Sequence, residues 1–348
     1  MAFLYFIVML GGIILLHEFG HFIFAKLFGV YVYEFALGMG PTLFKWEGKE
    51  TKYSIRLLPL GGYCAMAGEE ANDEAQGIPE NRLYSGLSGI KKIIILAAGP
   101  LMNFILAWFL FVGIYLGLGE IVDPPLPYIN GVIEESPAQA AGFEFGDKIV
   151  KITFSDGSDI EPNDFYDIIQ AISAHHDEAV YTVERAGELK DITVTPQYVE
   201  EEDRYIIGIT MPEANVRKLT IGECFTAGTE YFTDAVSLLF EVIGQLFHGI
   251  GLDTLSGPIG IYTATAEQIE YGFVSYLSLV GLLSLNIGIM NLIPVPMFDG
   301  GRILLTAIEM IIGKRLPKKL ENALMLGSLG LVLLLFVYST ANDIIRLL

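Results

Sequence analysis

Two histidines and a glutamate near the start of the chain have the spacing of a metal-binding helix. His17-Glu18-Phe19-Gly20-His21 reads His-Glu-x-x-His and follows a run without charges, residues 3–16. Because helix positions four apart share one face, His17 and His21 could hold one metal ion, with Glu18 beside them. Zinc held by two histidines and a third ligand keeps a position for water, whose proton a neighbouring glutamate can take. The alternative is a pair of helix histidines with ordinary polar partners.

A single acid far along the chain offers the missing third ligand. Asp299 is the only acidic residue between Glu270 and Glu309, and its surroundings are apolar. A carboxylate in apolar, membrane-like surroundings is costly unless a cation accompanies it. Since the two histidines lack one ligand, we predict that Asp299 supplies it. The competing interpretation is an ion pair between Asp299 and Arg302.

The elements that must position these side chains have the composition of membrane helices. Of the 348 residues, 52% are hydrophobic and 18% are charged, and the mean hydropathy is +0.50. The net charge of −20 argues against nucleic-acid binding and against a surface attracted to anionic lipid. We predict four transmembrane segments, at residues 1–28, 91–118, 273–312 and 320–345. The third should be broken near Asp299, where two prolines and two glycines cannot continue a regular helix.

Residues 29–90 predict a small β-hairpin and loop on the cytoplasmic side. Two strand-like runs flank Glu47-Gly48-Lys49-Glu50, and residues 69–82 are polar. Strands beside the metal-binding helix could bind an extended peptide by pairing with it along an exposed edge. A purely structural sheet fits the same pattern.

Residues 124–210 predict a compact α+β insert. Strand, short helix, strand, helix and hairpin follow one another, and Ser136-Pro137-Ala138, Gly142 and Gly146-Asp147 resemble the PDZ family closely. PDZ domains bind a peptide by adding it as a strand, although a steric filter without a peptide ligand remains open. Residues 219–260 mix apolar and acidic positions, which predicts an amphipathic helical linker.

Basic residues predict the orientation in the membrane. Lysines and arginines concentrate between the first two segments and between the last two, so both loops should be cytoplasmic. Both termini and the insert are then outside, and Cys64 and Cys224 lie on opposite sides, which predicts no disulfide. We interpret the first segment as a retained span, because no basic region precedes it. The three candidate ligands should lie toward the cytoplasmic side.

These motifs together resemble the site-2 protease family of intramembrane zinc proteases, in particular its bacterial regulator-of-sigma-E type. The resemblance covers the whole chain, and its motifs are H-E-F-G-H at 17–21, Gly61-Gly62-Tyr63 with Gly68-Glu69, Ala98-Gly99-Pro100-Leu101-Met102-Asn103, Ser256-Gly257-Pro258-Ile259-Gly260-Ile261 and Asn291-x-x-Pro-x-Pro-x-x-Asp-Gly-Gly301. It implies that His17, His21 and Asp299 bind zinc and that Glu18 is the catalytic acid and base. It also implies that Asn291 contacts the substrate backbone. Phe298 stands where the family pattern usually has leucine.

The predicted fold class is a polytopic α-helical membrane protein with four transmembrane helices, a β-hairpin after the first helix and an inserted α+β PDZ domain. The resemblance implies a zinc metalloendopeptidase of the inner (plasma) membrane that cleaves the transmembrane segment of single-span proteins, in regulated intramembrane proteolysis. Anti-sigma factors and signal-peptide remnants are the expected substrates, and the bilayer and a peptide C-terminus at the PDZ domain are the other expected partners.

Two other classes of protein compete with this prediction. A non-proteolytic membrane module with a structural metal site would have no need for Glu18. A histidine-box membrane oxidase would need more than the five histidines of this chain.

Overall fold

A computed structural model describes residues 1–69, 77–199, 204–251 and 255–347. Its contacts divide the chain into two compact units, one formed by Met1–Gly117 with Ile221–Leu348 and the other by Leu118–Thr220. Parts of the predicted cytoplasmic loop (70–76), of the predicted insert (200–203) and of the predicted linker (252–254) lie outside the described residues.

The first unit is mainly helical, because long apolar runs bond their own backbone groups where lipid offers no partners. Its helices are α1 (Ala2–Leu27), α2 (Gly89–Leu118), α5 (Ile221–Phe247), α6 (Pro258–Tyr271), α7 (Phe273–Leu292), α8 (Asp299–Ile312) and α9 (Lys318–Leu347). Four of the described helices are long and apolar enough to cross a membrane, namely α1, α2, α7 and most of α9. The chain is therefore a membrane protein.

The third predicted segment consists of two helices. Residues 293–298 separate α7 from α8, and they include Pro294 and Pro296, which lack the backbone N–H that a continuous helix requires. The predicted amphipathic helical linker, residues 219–260, contains α5, and α6 begins near its end. Buried Asp343 of α9 caps α6 by accepting hydrogen bonds from the backbone N–H groups of Gly257, at 3.0 Å, and Gly260, at 2.8 Å.

The predicted hairpin is a sheet of two long, bent strands, β1 (Val32–Glu47) and β2 (Lys52–Met66). Leu37 lies opposite both Gly62 and Ile55, and residues 34–37 all pair in this way with both ends of β2. The sequence did not indicate this double pairing. It brings residues 62–66 against α1, and two short 3-10 helices, Glu80–Arg82 and Tyr84–Gly86, then lead into α2.

The second unit has the α+β composition that the sequence predicts. Its elements are β3 (Glu120–Asp123), β4 (Gly131–Val132), α3 (Pro137–Ala141), β5 (Lys148–Phe154), β6 (Asp159–Ile160), α4 (Phe165–Ala174), β7 (Ala179–Arg185), β8 (Glu188–Val194), β9 (Gln197–Val199), β10 (Arg204–Ile206), β11 (Ile209–Thr210) and β12 (Asn215–Lys218). Four strands form a sheet in the order β6-β5-β7-β8, and β4 pairs with β11, β3 with β12 and β9 with β10. Ser136 caps α3, Asp164 caps α4, and Gly142 ends α3 in the left-handed region that glycine favours.

A buried ion pair organises one end of this unit. Asp147 is fully buried, and Arg185 donates to both of its carboxylate oxygens, at 2.6 and 2.7 Å, and to the carbonyl of Gly142 at 2.8 Å. The two histidines at the end of α4 stack on aromatic rings, His175 on Phe154 and His176 on Tyr205. Their rings therefore have a packing role in the second unit.

Candidate metal centre

Helix α1 places His17 and His21 one turn apart on its buried face. Their exposed fractions are 8% and 7%, and their Nε2 atoms are 3.2 Å apart. The two rings lie nearly perpendicular to each other, with centroids 4.9 Å apart. Spacing of four on a helix and burial against other elements thus direct both nitrogens into one small volume.

The break before α8 brings Asp299 to the same place. Asp299 is the first residue of α8, and its Oδ2 lies 3.1 Å from Nε2 of His17 and 3.3 Å from Nε2 of His21. The glycines after it permit this turn, because a Cβ on Gly300 or Gly301 would lie 2.1 Å from the carbonyl oxygen of Leu292 or Val295.

The three ligand atoms fit a metal ion of zinc's size and preferences. Their separations of 3.1 to 3.3 Å match the roughly 3.3 Å expected between neighbouring ligands of a tetrahedral zinc with bonds of about 2.0 Å. Oδ2 of Asp299 is buried and accepts no well-directed hydrogen bond, although both imidazoles lie within ion-pair distance. Atoms that approach one another closely but point toward a common centre are typical of a ligand set, and two imidazoles with one carboxylate suit zinc.

Arg302 does not pair with Asp299 as the competing interpretation required. Its guanidinium donates to Oε1 of Glu69 at 2.6 Å, so it joins α8 to the end of the sheet. The carboxylate of Asp299 faces the two imidazoles instead. The structure therefore brings together the three predicted ligands.

Glu18 lies beside this cluster and against the sheet. It is half-buried, and a Cβ on Gly62 of β2 would come within 2.9 Å of its Cγ. Its carboxylate interacts electrostatically with His21, His17 and Asp299. A carboxylate so placed can exchange protons with a molecule held at the centre.

Asn291 occupies the last turn of α7, just before the break. It is half-buried, and its Nδ2 donates to the carbonyl of Ile287 at 3.0 Å. Its contact with a substrate backbone stays a prediction.

Helix α2 encloses the centre from another side, which the sequence indicated only in part. Nδ1 of His21 donates to the carbonyl of Ile95 at 2.8 Å, and Nδ1 of His17 faces Nδ2 of buried Asn103 at 3.4 Å. A Cβ on Gly99 would lie 2.4 Å from Nε2 of His21. In the sequence, residues 98–103 stand out only as one of the motifs shared with the site-2 protease family. A polar residue one turn after a glycine, inside an apolar span, was the available signal for a further role at the site.

Comparisons with known proteins find matches over nearly the whole chain. The profile of peptidase family M50 matches residues 5–335. Zinc metalloprotease RasP of Shouchella clausii is 31% identical, over 98% of this chain and 98% of the relative. A relative from Clostridium acetobutylicum with a provisional zinc metalloprotease name is 34% identical, over 96% of this chain and 95% of its own.

Among solved structures, the PDZ domain of an SdrC-like protein from Listeria monocytogenes is similar to 26% of this chain and 92% of its own, with 20% identity and a TM-score of 0.22. A score this low establishes no fold for the insert. The family match and the relatives do establish the family: the chain belongs to peptidase family M50, the site-2 protease family, and is a zinc metalloprotease.

Proposed function

We propose that this protein cleaves single-span membrane proteins within their transmembrane segments, with His17, His21 and Asp299 as zinc ligands and Glu18 as the catalytic acid and base. The observation that carries the proposal is the buried cluster of two imidazoles and one carboxylate. His17 and His21 lie on α1, and Asp299 begins α8, just after α7. Helices α1 and α7 are both long and apolar enough to span a bilayer.

The side chains present suit amide hydrolysis. When bound, zinc acts as a Lewis acid on a carbonyl oxygen and makes water easier to deprotonate. The Glu18 carboxylate takes the proton of the attacking water and returns it to the leaving amine. Burial of the histidines and Asp299 keeps bulk water away, which strengthens every charge interaction at the site.

The sheet beside α1 supports recognition of an unwound substrate. Among the described strand pairs, residues 62–66 have residues 32–37 as a partner on one side, and Gly62 lies against the stem of Glu18. An extended peptide added along residues 62–66 would pass close to the catalytic carboxylate. Asn291, just before the break in the third segment, is the candidate for holding the substrate backbone.

A contact between the two basic loops supports the proposed orientation. Arg315, between α8 and α9, donates to the carbonyl of Ser85, which precedes α2, at 2.8 Å. The loop after the first span and the loop before the last therefore lie on the same side of the helices. By the excess of basic residues this side is cytoplasmic, with both termini and the second unit outside.

We assign the second unit as a PDZ domain that limits access of untrimmed substrates, so that cleavage follows an earlier cut outside the membrane. Its four-stranded sheet, two helices and hairpin support the assignment. Anti-sigma factors and signal-peptide remnants are the substrate classes that such gating would serve.

Glu18→Gln in the full chain tests the catalytic role. Because the amide cannot take up a proton, the purified variant should bind zinc like the parent and lose cleavage of a single-span model substrate. Glu321→Gln, an exposed carboxylate at the start of α9, is the matched control and should cleave normally. Cleavage by Glu18→Gln at the parent rate would overturn the proposal, and failure of the parent to bind zinc would overturn the ligand assignment.

A further inference from the structure

The tautomer of His21 follows directly from its surroundings. Its Nδ1 lies 2.8 Å from the carbonyl oxygen of Ile95, which can only accept a hydrogen bond. A neutral ring must therefore carry its proton on Nδ1. That leaves the lone pair of Nε2 directed at Oδ2 of Asp299 and at the position of a metal ion.

The tautomer of His17 depends on the side-chain amide of Asn103. In the structure Nδ2 of Asn103 lies 3.4 Å from Nδ1 of His17, which is long for a hydrogen bond. If that nitrogen donates, Nδ1 of His17 must accept, and the proton of a neutral ring moves to Nε2. A proton on Nε2 would occupy the lone pair that the proposed metal site requires.

The oxygen atom of the same amide makes no hydrogen bond in its present position. Asn103 is fully buried, and its Oδ1 has no hydrogen-bond partner among the described residues. The two ends of a carboxamide have nearly the same size, so a half-turn of the side chain exchanges them within the same space. The oxygen then faces Nδ1 of His17 and can accept its proton.

We propose that Oδ1 of Asn103 accepts a hydrogen bond from Nδ1–H of His17 and thereby fixes the ring in the tautomer that binds the metal through Nε2. Asn103 is a positioning residue, and the inference rests on the proposed metal site. Both histidines then have matching arrangements, each donating from Nδ1 to an oxygen supplied by α2. An asparagine provides this oxygen without adding a second negative charge beside Asp299 in an apolar span.

The helical position of Asn103 agrees with this role. Gly99 lies one turn earlier on the same face, and its missing side chain leaves room for both imidazoles, while Asn103 reaches the far side of the His17 ring. One face of α2 therefore carries both the space for the rings and the group that orients one of them.

Metal binding by three full-length variants in detergent tests the proposal, with Co²⁺ absorption and Zn²⁺ competition as readouts. Asn103→Leu removes donor and acceptor, and its metal affinity should fall by about 10- to 100-fold, as for the loss of other groups that orient metal ligands. Asn103→Asp keeps an acceptor and removes the donor, so its affinity should equal or exceed that of the parent. Ser284→Ala is the matched control, because Ser284 is fully buried at the same helix contact and donates to the backbone carbonyl of Asn103 at 2.9 Å.

The outcomes separate the inference from the proposed function. An Asn103→Asp affinity as low as that of Asn103→Leu, or an unchanged Asn103→Leu, would overturn the role of Asn103 while leaving zinc binding by the parent intact. ¹⁵N NMR of the histidine-labelled, zinc-loaded parent tests the tautomers directly, even where a variant does not fold. A proton on Nδ1 of both His17 and His21 is expected, and an unprotonated Nδ1 on His17 would refute the proposal.

Discussion

Gly99→Ala should disable the metal centre while leaving α2 intact. The added Cβ would lie 2.4 Å from Nε2 and 2.5 Å from Cε1 of His21, and 2.9 Å from Cε1 of His17. Ordinary contact between such atoms begins near 3.4 Å, so the His21 ring must retreat by about 1 Å. The hydrogen bond from the ring to Ile95, on the same helix as Gly99, opposes this retreat.

A shift of this size is large for a metal site. Ligand distances are expected within about 0.2 Å of their ideal values, and misplacing a catalytic group by about 1 Å can cost roughly 100-fold in rate. We therefore expect zinc affinity and cleavage of a single-span substrate to fall by at least about 100-fold. Alanine is also favoured over glycine inside a helix by about 1 kcal/mol, so the helical content measured by circular dichroism in detergent should equal that of the parent.

Gly113→Ala is the matched control for this prediction. Gly113 lies in the same helix, and a Cβ there would have no neighbour within 4 Å. Its zinc affinity and activity should equal those of the parent. Normal zinc affinity in Gly99→Ala would refute the reasoning, because it would mean that the rings do not occupy the space beside Gly99.

Three further substitutions test the contacts that support the two units. Arg302→Ala leaves half-buried Glu69 without its arginine and should lower the free energy of unfolding by about 1–3 kcal/mol. The loss should be smaller when Glu69→Gln is present in the same chain, and losses that simply add would contradict a direct pair. Asp343→Ala removes the cap of α6 and should lower the free energy of unfolding by about 1–2 kcal/mol, whereas an unchanged melting curve would contradict the capping role. Arg185→Ala leaves the buried carboxylate of Asp147 without its arginine and should lower the free energy of unfolding of the second unit by about 3–5 kcal/mol. Amide hydrogen exchange should then become faster in residues 118–220 alone, and unchanged exchange would count against the pair.

Local rules predicted the parts of the centre that depend on one helix or one charge. The spacing of His17 and His21 places them together on any regular helix, so no tertiary information was needed. Asp299 could be predicted because an isolated acid in an apolar segment needs a cation, and the number of cations within reach was small. The break in the third segment followed from its prolines.

The features that escaped prediction depend on contacts between distant elements. Residues 34–37 pair with both ends of β2, and alternation along a strand says nothing about which partners lie on its two sides. The pairing of Arg302 with Glu69 rather than Asp299 likewise depends on where the end of the sheet meets α8. Sequence spacing made Asp299 the nearer partner, but three residues along a helix is close only when both side chains face the same way.

Glycines decide whether the three ligands can meet. A Cβ on Gly20, between the two histidines, would lie 2.3 Å from the carbonyl oxygen of Ala98, so α1 and α2 approach more closely than larger residues allow. Gly99 keeps the imidazole tips clear, and Gly300 lets α8 start against the end of α7. The space that a Cβ would need at each of these glycines is occupied by backbone or by a ligand ring. Neither can move aside as the end of a flexible side chain could. The chemistry therefore depends on His17, His21 and Asp299, but their convergence depends on residues that carry no functional group.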